Sequence, residues 1–407
     1  MKLYMTLAWR NLWRNRRRTL ITIASISFAV LFALLMRSIN EGAYDQMITN
    51  AVQFHTGFIQ VQDPWYHDEP SLDYVMPYDE QFEQQVLAAD EAISYVVPRI
   101  ETYALLAGDI QARGAMISGI KPDREHQLNE LKDLLSEGRF FENGEPGVVL
   151  GRGLSRRLDA GIGDTIVVLG QGRFGVSAAA EYEVIGLIDH RMRELDNNAA
   201  FLSLAEAQWL FDTDGGITSL LVMPEGARYV DRVKSSLQRE LDTETYAVLD
   251  WQELMPDLLS MMELDRISDG IFSGVLYLII GFGMFGTILA KTMERKYEYG
   301  MMLSLGMQRT QLSFVAILEA VWLSIIGVIS GIVISMPVLL YFYFNPITLT
   351  GDMADMYEDM GFEPILPASM DVSIFVSQTV IVLVLAFLVS LYPIRTIYRL
   401  NPQEVRA

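Results

Sequence analysis

The sequence predicts an α-helical membrane protein with four transmembrane helices and a large α+β extracytoplasmic domain between the first and the second. Three observations carry this reading. Four apolar runs, at residues 19–36, 271–290, 312–344 and 372–391, punctuate a chain of 407 residues. At ~1.5 Å of rise per residue, each reaches across the ~30 Å hydrocarbon core of a bilayer. The chain is 51% hydrophobic yet carries a net charge of −20, which a soluble acidic protein rarely combines with such runs. The third observation is that the charge is segregated along the chain. Residues 1–18 hold Lys2, Arg10, Arg14, Arg16, Arg17 and Arg18 and no acid, whereas residues 37–270 hold 18 bases and 41 acids.

Short segments rich in Lys and Arg mark the cytoplasmic side of a membrane. Residues 291–311 set Lys291, Arg295, Lys296 and Arg309 against Glu294 and Glu298, and the tail sets Arg395, Arg399 and Arg406 against Glu404. Residues 345–371 hold six acids and no base. Both termini and the 291–311 loop are therefore expected in the cytoplasm, with the large acidic region and the 345–371 loop outside.

Taken in order, residues 1–18 read as an amphipathic cytoplasmic helix. Met5, Trp9 and Leu12 fall on one face, and Arg10, Arg14, Arg17 and Arg18 on another. The first transmembrane helix is expected over 19–39. No small-residue cleavage site follows its apolar run before Glu41, so it reads as an uncleaved anchor. Residues 40–270 alternate short strands and helices, the pattern of an α+β domain. Strands are expected at 52–62, 95–107, 115–120, 165–169, 182–188, 219–223 and 246–249. Helices are expected at 80–89, 148–158, 204–211 and 229–241. Two lobes are expected, about 45–95 plus 215–265, and 95–210. A helix over 251–269 leads into the second span and is expected to join the outer domain rigidly to the membrane. The remaining spans are expected at 271–290, 312–340 and 372–393. A polar segment at 291–311, an outer loop at 341–371 and a cytoplasmic tail at 394–407 complete the chain. Gly327 and Gly331 in the third span, and Gly286 and Ala290 in the second, have the spacing of small-residue helix contacts, within one chain or between subunits.

No catalytic signature is visible, which argues against a membrane enzyme. Gly170, Gly172 and Gly175 follow a strand, but the next stretch is again strand-like. A dinucleotide site needs a helix there, so this reads as a hairpin loop. Asp212 and Asp214 lack the remaining ligands of a calcium loop. His55, His67, His126 and His190 have no metal spacing. Without cysteine, disulfides and thiolate metal sites are excluded. No Gly–Lys pair occurs, so no Walker loop exists and any ATP chemistry belongs to another chain. Glu319 stands seven residues into the third span, where an ionised carboxylate must pair, face protein or take up a proton. It reads either as a gating or subunit-contact residue or as a polar residue packed near the interface. The methionines at 255, 261 and 262 and at 353, 356 and 360 read as gap-filling side chains or as an adaptable apolar surface.

The segment 293–300 (MERKYEYG), the segment 305–309 (LGMQR), the LEA around Glu319 and the tail with Tyr392, Pro393, Arg395, Asn401 and Pro402 resemble the FtsX/MacB/LolC-type ABC transporter permeases. Tyr299 replaces the usual Ile and Met307 the usual Ala. The outer domain is similar to the lipoprotein-releasing LolC/LolE branch in 55–62, 119–123, 149–158 with Gly163 and Asp164, and 194–196 before Ala207 and Gln208. The resemblance implies that 291–311 is the coupling helix for a partner ATPase. Glu294, Arg295, Lys296, Tyr297, Glu298, Gln308 and Arg309 would make the contacts, and Gly300 and Gly306 would shape the helix ends. It implies a bacterial inner-membrane complex of two permeases, the same chain or a paralogue, on two ATPase subunits that hold the ATP and Mg. This chain would bind no cofactor and no nucleic acid. It would be a non-catalytic subunit that transmits motion to its outer domain, touching membrane lipids and a periplasmic lipoprotein carrier. The expected function is extraction of lipoproteins or another amphiphile. Activation of a cell-wall hydrolase, and export of a peptide or small hydrophobic compound, are the alternatives.

Overall fold

The computed structural model describes residues 2–142, 144–190, 192–359 and 362–399. Met360, Asn401, Pro402, Glu404 and Arg406 lie outside them. In chain order the helices are α1 (Lys2–Arg14), α2 (Arg16–Asn50), α3 (Glu80–Ala88), α4 (Pro122–Asn129), α5 (Arg152–Leu158), α6 (Arg193–Asn198) and α7 (Leu204–Leu210). They continue as α8 (Val230–Glu240), α9 (Trp251–Leu254), α10 (Pro256–Glu294), α11 (Lys296–Ser304), α12 (Arg309–Phe344), α13 (Asp352–Asp359) and α14 (Val372–Arg399). The strands are β1 (Ile59–Gln62), β2 (Ile93–Ala107), β3 (Ala112–Ile120), β4 (Leu135–Gly138), β5 (Val148–Gly151) and β6 (Thr165–Gln171). They continue as β7 (Ser177–Ile188), β8 (Ala199–Ser203), β9 (Ser219–Pro224), β10 (Ala247–Asp250), β11 (Ile347–Thr348) and β12 (Ile365–Leu366).

The chain divides into two compact units. One holds residues up to Gln46, Met261–Thr348 and the chain from Ile365 onward; the other holds Met47–Ser260 and Leu349–Pro364.

The second unit is built on one ten-stranded sheet in the order β10-β1-β9-β2-β3-β8-β5-β7-β4, with β6 paired to β2 and β7. Among the described residues only β3/β8 and β5/β7 are parallel pairs. The fifteen-residue β2 joins the halves: its first part pairs with β9 and its last part with β3 and β6. Strands of both expected lobes thus share one sheet path. A large apolar core, from Ile59 on β1 through Ile100 on β2 and Leu150 on β5 to Val248 on β10, packs against it, with two smaller apolar clusters around Ile120 and Val97. Period-two alternation works where one face is wet: Ala104 and Leu106 are buried while Tyr103 and Leu105 are exposed. Helix starts follow local capping. The Asp79 carboxylate accepts from Phe82 N at 2.7 Å and the Ser203 hydroxyl from Glu206 N at 3.3 Å. Inside this unit Arg99 forks onto Glu125, with Nη2–Oε1 at 2.6 Å and Nε–Oε2 at 3.1 Å, and both side chains are buried.

Several stretches differ from the sequence reading: Asn15 separates α1 from α2 within the expected helix 1–18, and α4, β4, α6 and β8 form where no element was expected. Residues 52–58 are not strand: Ala51–Thr56 is a π-helical turn continuing α2, and β1 begins only at Ile59. Gly57, at φ +64°, ends that turn in a conformation that favours glycine. Residues 148–158 are not one helix, because β5 occupies 148–151 before α5 starts. The expected helix 251–269 is interrupted at Met255, after which α10 runs unbroken to Glu294.

The first unit holds α1, the helices α10, α12 and α14 from Met261 onward, and α2 up to Gln46. Four helices here are long and apolar enough to cross a membrane. Apolar side chains gain nothing by leaving lipid for protein, so packing and polar links hold such helices together. Gly327 and Gly331 supply the packing. A Cβ on Gly327 would stand 2.5 Å from Ile26, and one on Gly331 2.8 Å from Val30. This small-residue contact is therefore made within the chain, between α12 and α2. Gly286 has open space where its Cβ would be. Polar links are Ser27 with Ser330 at 2.6 Å and the Tyr277 hydroxyl donating to Gln378 Oε1 at 2.6 Å.

Candidate coupling site

The segment 291–311 is not a single helix. The last turn of α10 carries Lys291 and Glu294, Arg295 interrupts the helix, α11 follows, and Gly306 at φ +96° turns the chain toward α12. Gly300 lies inside α11 and is buried, so of the two glycines only Gly306 shapes an end. Gln308 precedes α12, its N–H donating to Gln311 Oε1 at 3.2 Å. Arg309 donates to the Tyr398 carbonyl near the end of α14.

The break at Arg295 has a consequence. Its guanidinium turns inward onto Glu319 of α12, with Nη1 2.7 and 2.8 Å from the two carboxylate oxygens. Lys291 Nζ approaches the same carboxylate at 2.9 Å, and Asn11 of α1 donates to Oε1 at 2.9 Å. Glu319 is 4% exposed and Arg295 7% exposed. An ion that dry is tolerable only when paired and hydrogen-bonded, which is why three donors converge on it. Arg295 also donates through Nε to Glu298 at 3.1 Å and stacks over the buried Tyr299 ring at 5.3 Å. Glu298 accepts from Arg14 at 2.6 Å on Oε2, and Arg18 pairs with Glu294. The hydrogen bond from Arg14 holds the Glu298 carboxyl below the ordinary glutamate range. Arg14 and Asn11 of α1, Lys291, Arg295, Glu298 and Glu319 thus form one network, with Arg18–Glu294 as a separate pair.

Glu294, Arg295 and Glu298 are consequently engaged within the chain. The outward face of α11 is different. Tyr297, Met301 and Leu305 are 64%, 49% and 83% exposed and recur at i, i+4 and i+8, with Lys296 exposed beside them. The inward face, with Tyr299, packs on Leu312, Ala316 and Ile397. The sequence reading chose the charges as contacts and overlooked Met301 and Leu305; their helical spacing was the available signal. Among the described residues no group of three or more His, Asp or Glu could hold a metal ion.

The MacB-like periplasmic core domain profile matches residues 19–240, and the FtsX-like permease C-terminal profile matches residues 270–402. The chain belongs to the FtsX/MacB/LolC-type family of ABC transporter permeases. It is 25% identical over 339 residues to the lipoprotein-releasing system transmembrane protein LolC of Xylella fastidiosa, covering 80% of this chain and 81% of that one. LolC of Neisseria meningitidis is 21% identical over 403 residues, covering 95% and 93%. Among solved structures, the periplasmic region of MacB from Actinobacillus actinomycetemcomitans overlaps 51% of this chain and 94% of that one, with 13% identity and a TM-score of 0.36. In this FtsX/MacB/LolC-type permease the network around Glu319 lies inside the region matched by the FtsX-like profile, whereas Asn11, Arg14 and Arg18 precede both matches.

Proposed function

We propose that this permease is the membrane subunit of a bacterial inner-membrane ABC transporter, with both termini and α11 in the cytoplasm. A separate ATPase, present in two copies with its ATP and Mg, docks on the Tyr297–Met301–Leu305 stripe and Lys296. A second permease, the same chain or a paralogue, completes the complex. The observation that carries the coupling is the fastening of this segment to α12 through Arg295 and Glu319. Because that joint is buried and ionic, displacement of α11 moves α12 with it rather than bending a loose loop. The outer domain then extracts lipoproteins, or another amphiphile, from the outer leaflet and passes them to a periplasmic carrier. The LolC relatives, aligned over most of the chain, support this cargo class.

The test is affinity purification of the tagged protein from its native membrane with mass spectrometry of what co-elutes. An ABC ATPase with lipoproteins or a carrier protein is expected. An ATPase with a cell-wall hydrolase would replace extraction by signalling. Absence of any ATPase would remove the coupling role of α11.

A further inference from the structure

Residues 345–371, between α12 and α14, hold six acids and no base, so any cation that fastens this stretch comes from elsewhere. Its two legs are tied to each other. β11 pairs with β12 at Ile347–Leu366 and Thr348–Ile365, and Leu349 N donates to Pro364 O at 2.8 Å. The return leg is seated on α2. Ser369 N donates to Ser38 O at 2.8 Å, the Ser38 hydroxyl donates to Ser369 O, and a Cβ on Gly42 would collide with Pro367 O. Between the legs, α13 belongs to the outer unit and packs on α6. Arg193 at the start of α6 supplies the cation. Its Nε lies 2.7 Å from Glu358 Oε2, and its Nη1 3.5 Å from Asp355 Oδ1. α13 has only eight residues, too few to hold a helix alone in water, so its docking keeps it formed.

α6 is itself firmly held. The Asp196 carboxylate accepts from Arg152 N at 3.1 Å, Gly153 N at 2.9 Å and His190 N at 3.2 Å. A Cβ on Gly151 or Gly153 would collide with Asp196 or Asn197. A pull on Arg193 therefore reaches α5 and β5. The other two leads into the outer unit arrive elsewhere on the sheet. α2 continues through its π turn into β1, and β10 continues through α9 into α10. Val52 and Trp251 on these leads pack in one cluster with Val97 and Leu221. β10 and β1 stand at one end of the sheet order, and β5 lies toward the other. We infer that residues 345–371 form a strap that ties the outer ends of α12 and α14 to the α5–α6 side of the outer unit, and that Arg193 fastens it. Displacement of α12 and α14 against α2 and α10 then distorts the sheet between its ends. The strap stands on these contacts alone; that α11 drives it rests on the proposed coupling.

The experiment is amide hydrogen exchange, read by mass spectrometry, on the full-length permease in detergent without the ATPase. Arg193→Gln should speed exchange in α13 about fivefold, the ratio that an exposed ion pair at the top of its range supplies. Arg193→Lys should stay near wild type, and exchange in β9 should not change, which separates a lost fastening from lost folding. Raising NaCl from about 0.05 to about 0.5 M should speed α13 in wild type and not in Arg193→Gln. Ser38→Ala and Gly42→Ala each loosen the return leg, one by a lost hydrogen bond and the other by collision. Each should speed exchange in α6 when Arg193 is present and leave α6 unchanged in the Arg193→Gln background. Unchanged α13 exchange in Arg193→Gln overturns the fastening. Leg variants that leave α6 untouched, or that act on it equally without Arg193, overturn the strap. ATPase binding is read separately by co-purification; its absence strikes the proposed function and alters none of these exchange outcomes.

Discussion

One guanidinium nitrogen of Arg295 reaches both carboxylate oxygens of Glu319, at 2.7 and 2.8 Å, although a helix break and the whole of α11 intervene. Removing one member of such a buried pair leaves an uncompensated charge, which costs about 3–5 kcal/mol. Arg295→Met and Glu319→Leu are each expected to lower the thermal stability of the detergent-solubilised protein markedly. The double change Arg295→Met with Glu319→Leu should cost less than the sum of the two, because neither charge is then stranded. Strictly additive losses would mean that the contact contributes nothing.

The apolar stripe on α11 gives a prediction of different character. Tyr297, Met301 and Leu305 are exposed and stand apart from the apolar cluster around Tyr299. Replacing all three by alanine is expected to leave expression and thermal stability close to wild type. ATPase binding should weaken at least tenfold, since anchoring side chains at interfaces contribute more than about 1 kcal/mol each. Co-purification of the ATPase with the triple variant at wild-type yield would refute the docking face.

Charge reversal separates the two halves of the site. Glu294→Lys with Glu298→Lys places lysines against Arg18, Arg14 and Arg295. Stimulated ATPase activity of the complex is expected to disappear while membrane insertion persists. Normal coupling in this variant would show that α11 needs no fastening to α1 and α2.

The long helices and the basic ends were legible because apolar length and charge asymmetry are local properties of the chain. Other features were not. The stretch 52–62 alternates like a strand, yet its first half continues the preceding helix as a π turn, since chain already in a helix propagates more cheaply than it starts a strand. The short β5 reads as helix because the hydrogen bonds that make it strand come from β7 and β8, much later in the chain. At the site, the composition of 291–311 was informative but its polarity was read outward. Nothing local announces that Glu319, Asn11 and Arg14 arrive on the same side and draw Arg295 and Glu298 inward.

The Glu298 pairing has a pH signature. Its carboxyl is held below the ordinary glutamate value of about 4.3, chiefly by the hydrogen bond from Arg14. A depressed carboxyl contributes stability that is fully present above the unfolded value and is lost as pH falls through the folded value. Thermal stability of the purified permease should therefore not change on this account from neutral pH down to about 5, and should decline below the ordinary glutamate range. In Arg14→Gln the decline on this account should be shallower and should end at higher pH. An acid limb of unchanged depth in that variant would remove Arg14 as the cause.

Gly327 and Gly286 carry the same residue type to opposite expectations. At Gly327 a methyl would stand 2.5 Å from Cγ2 and 2.7 Å from Cβ of Ile26, distances that Cβ atoms essentially never adopt. Gly327→Val must push α12 away from α2, separating Gly331 from Val30 and breaking the Ser27–Ser330 hydrogen bond, which lies on the same faces. Overpacking of this kind costs about 1–3 kcal/mol. At Gly286 the same methyl meets nothing within 4 Å, and alanine forms helix more readily than glycine. Gly286→Ala is therefore expected to leave the thermal midpoint of the isolated permease unchanged or slightly raised, while Gly327→Val lowers it. Equal effects from the two variants, in the same detergent and at the same protein concentration, would mean that the α2–α12 contact does not hold this unit together.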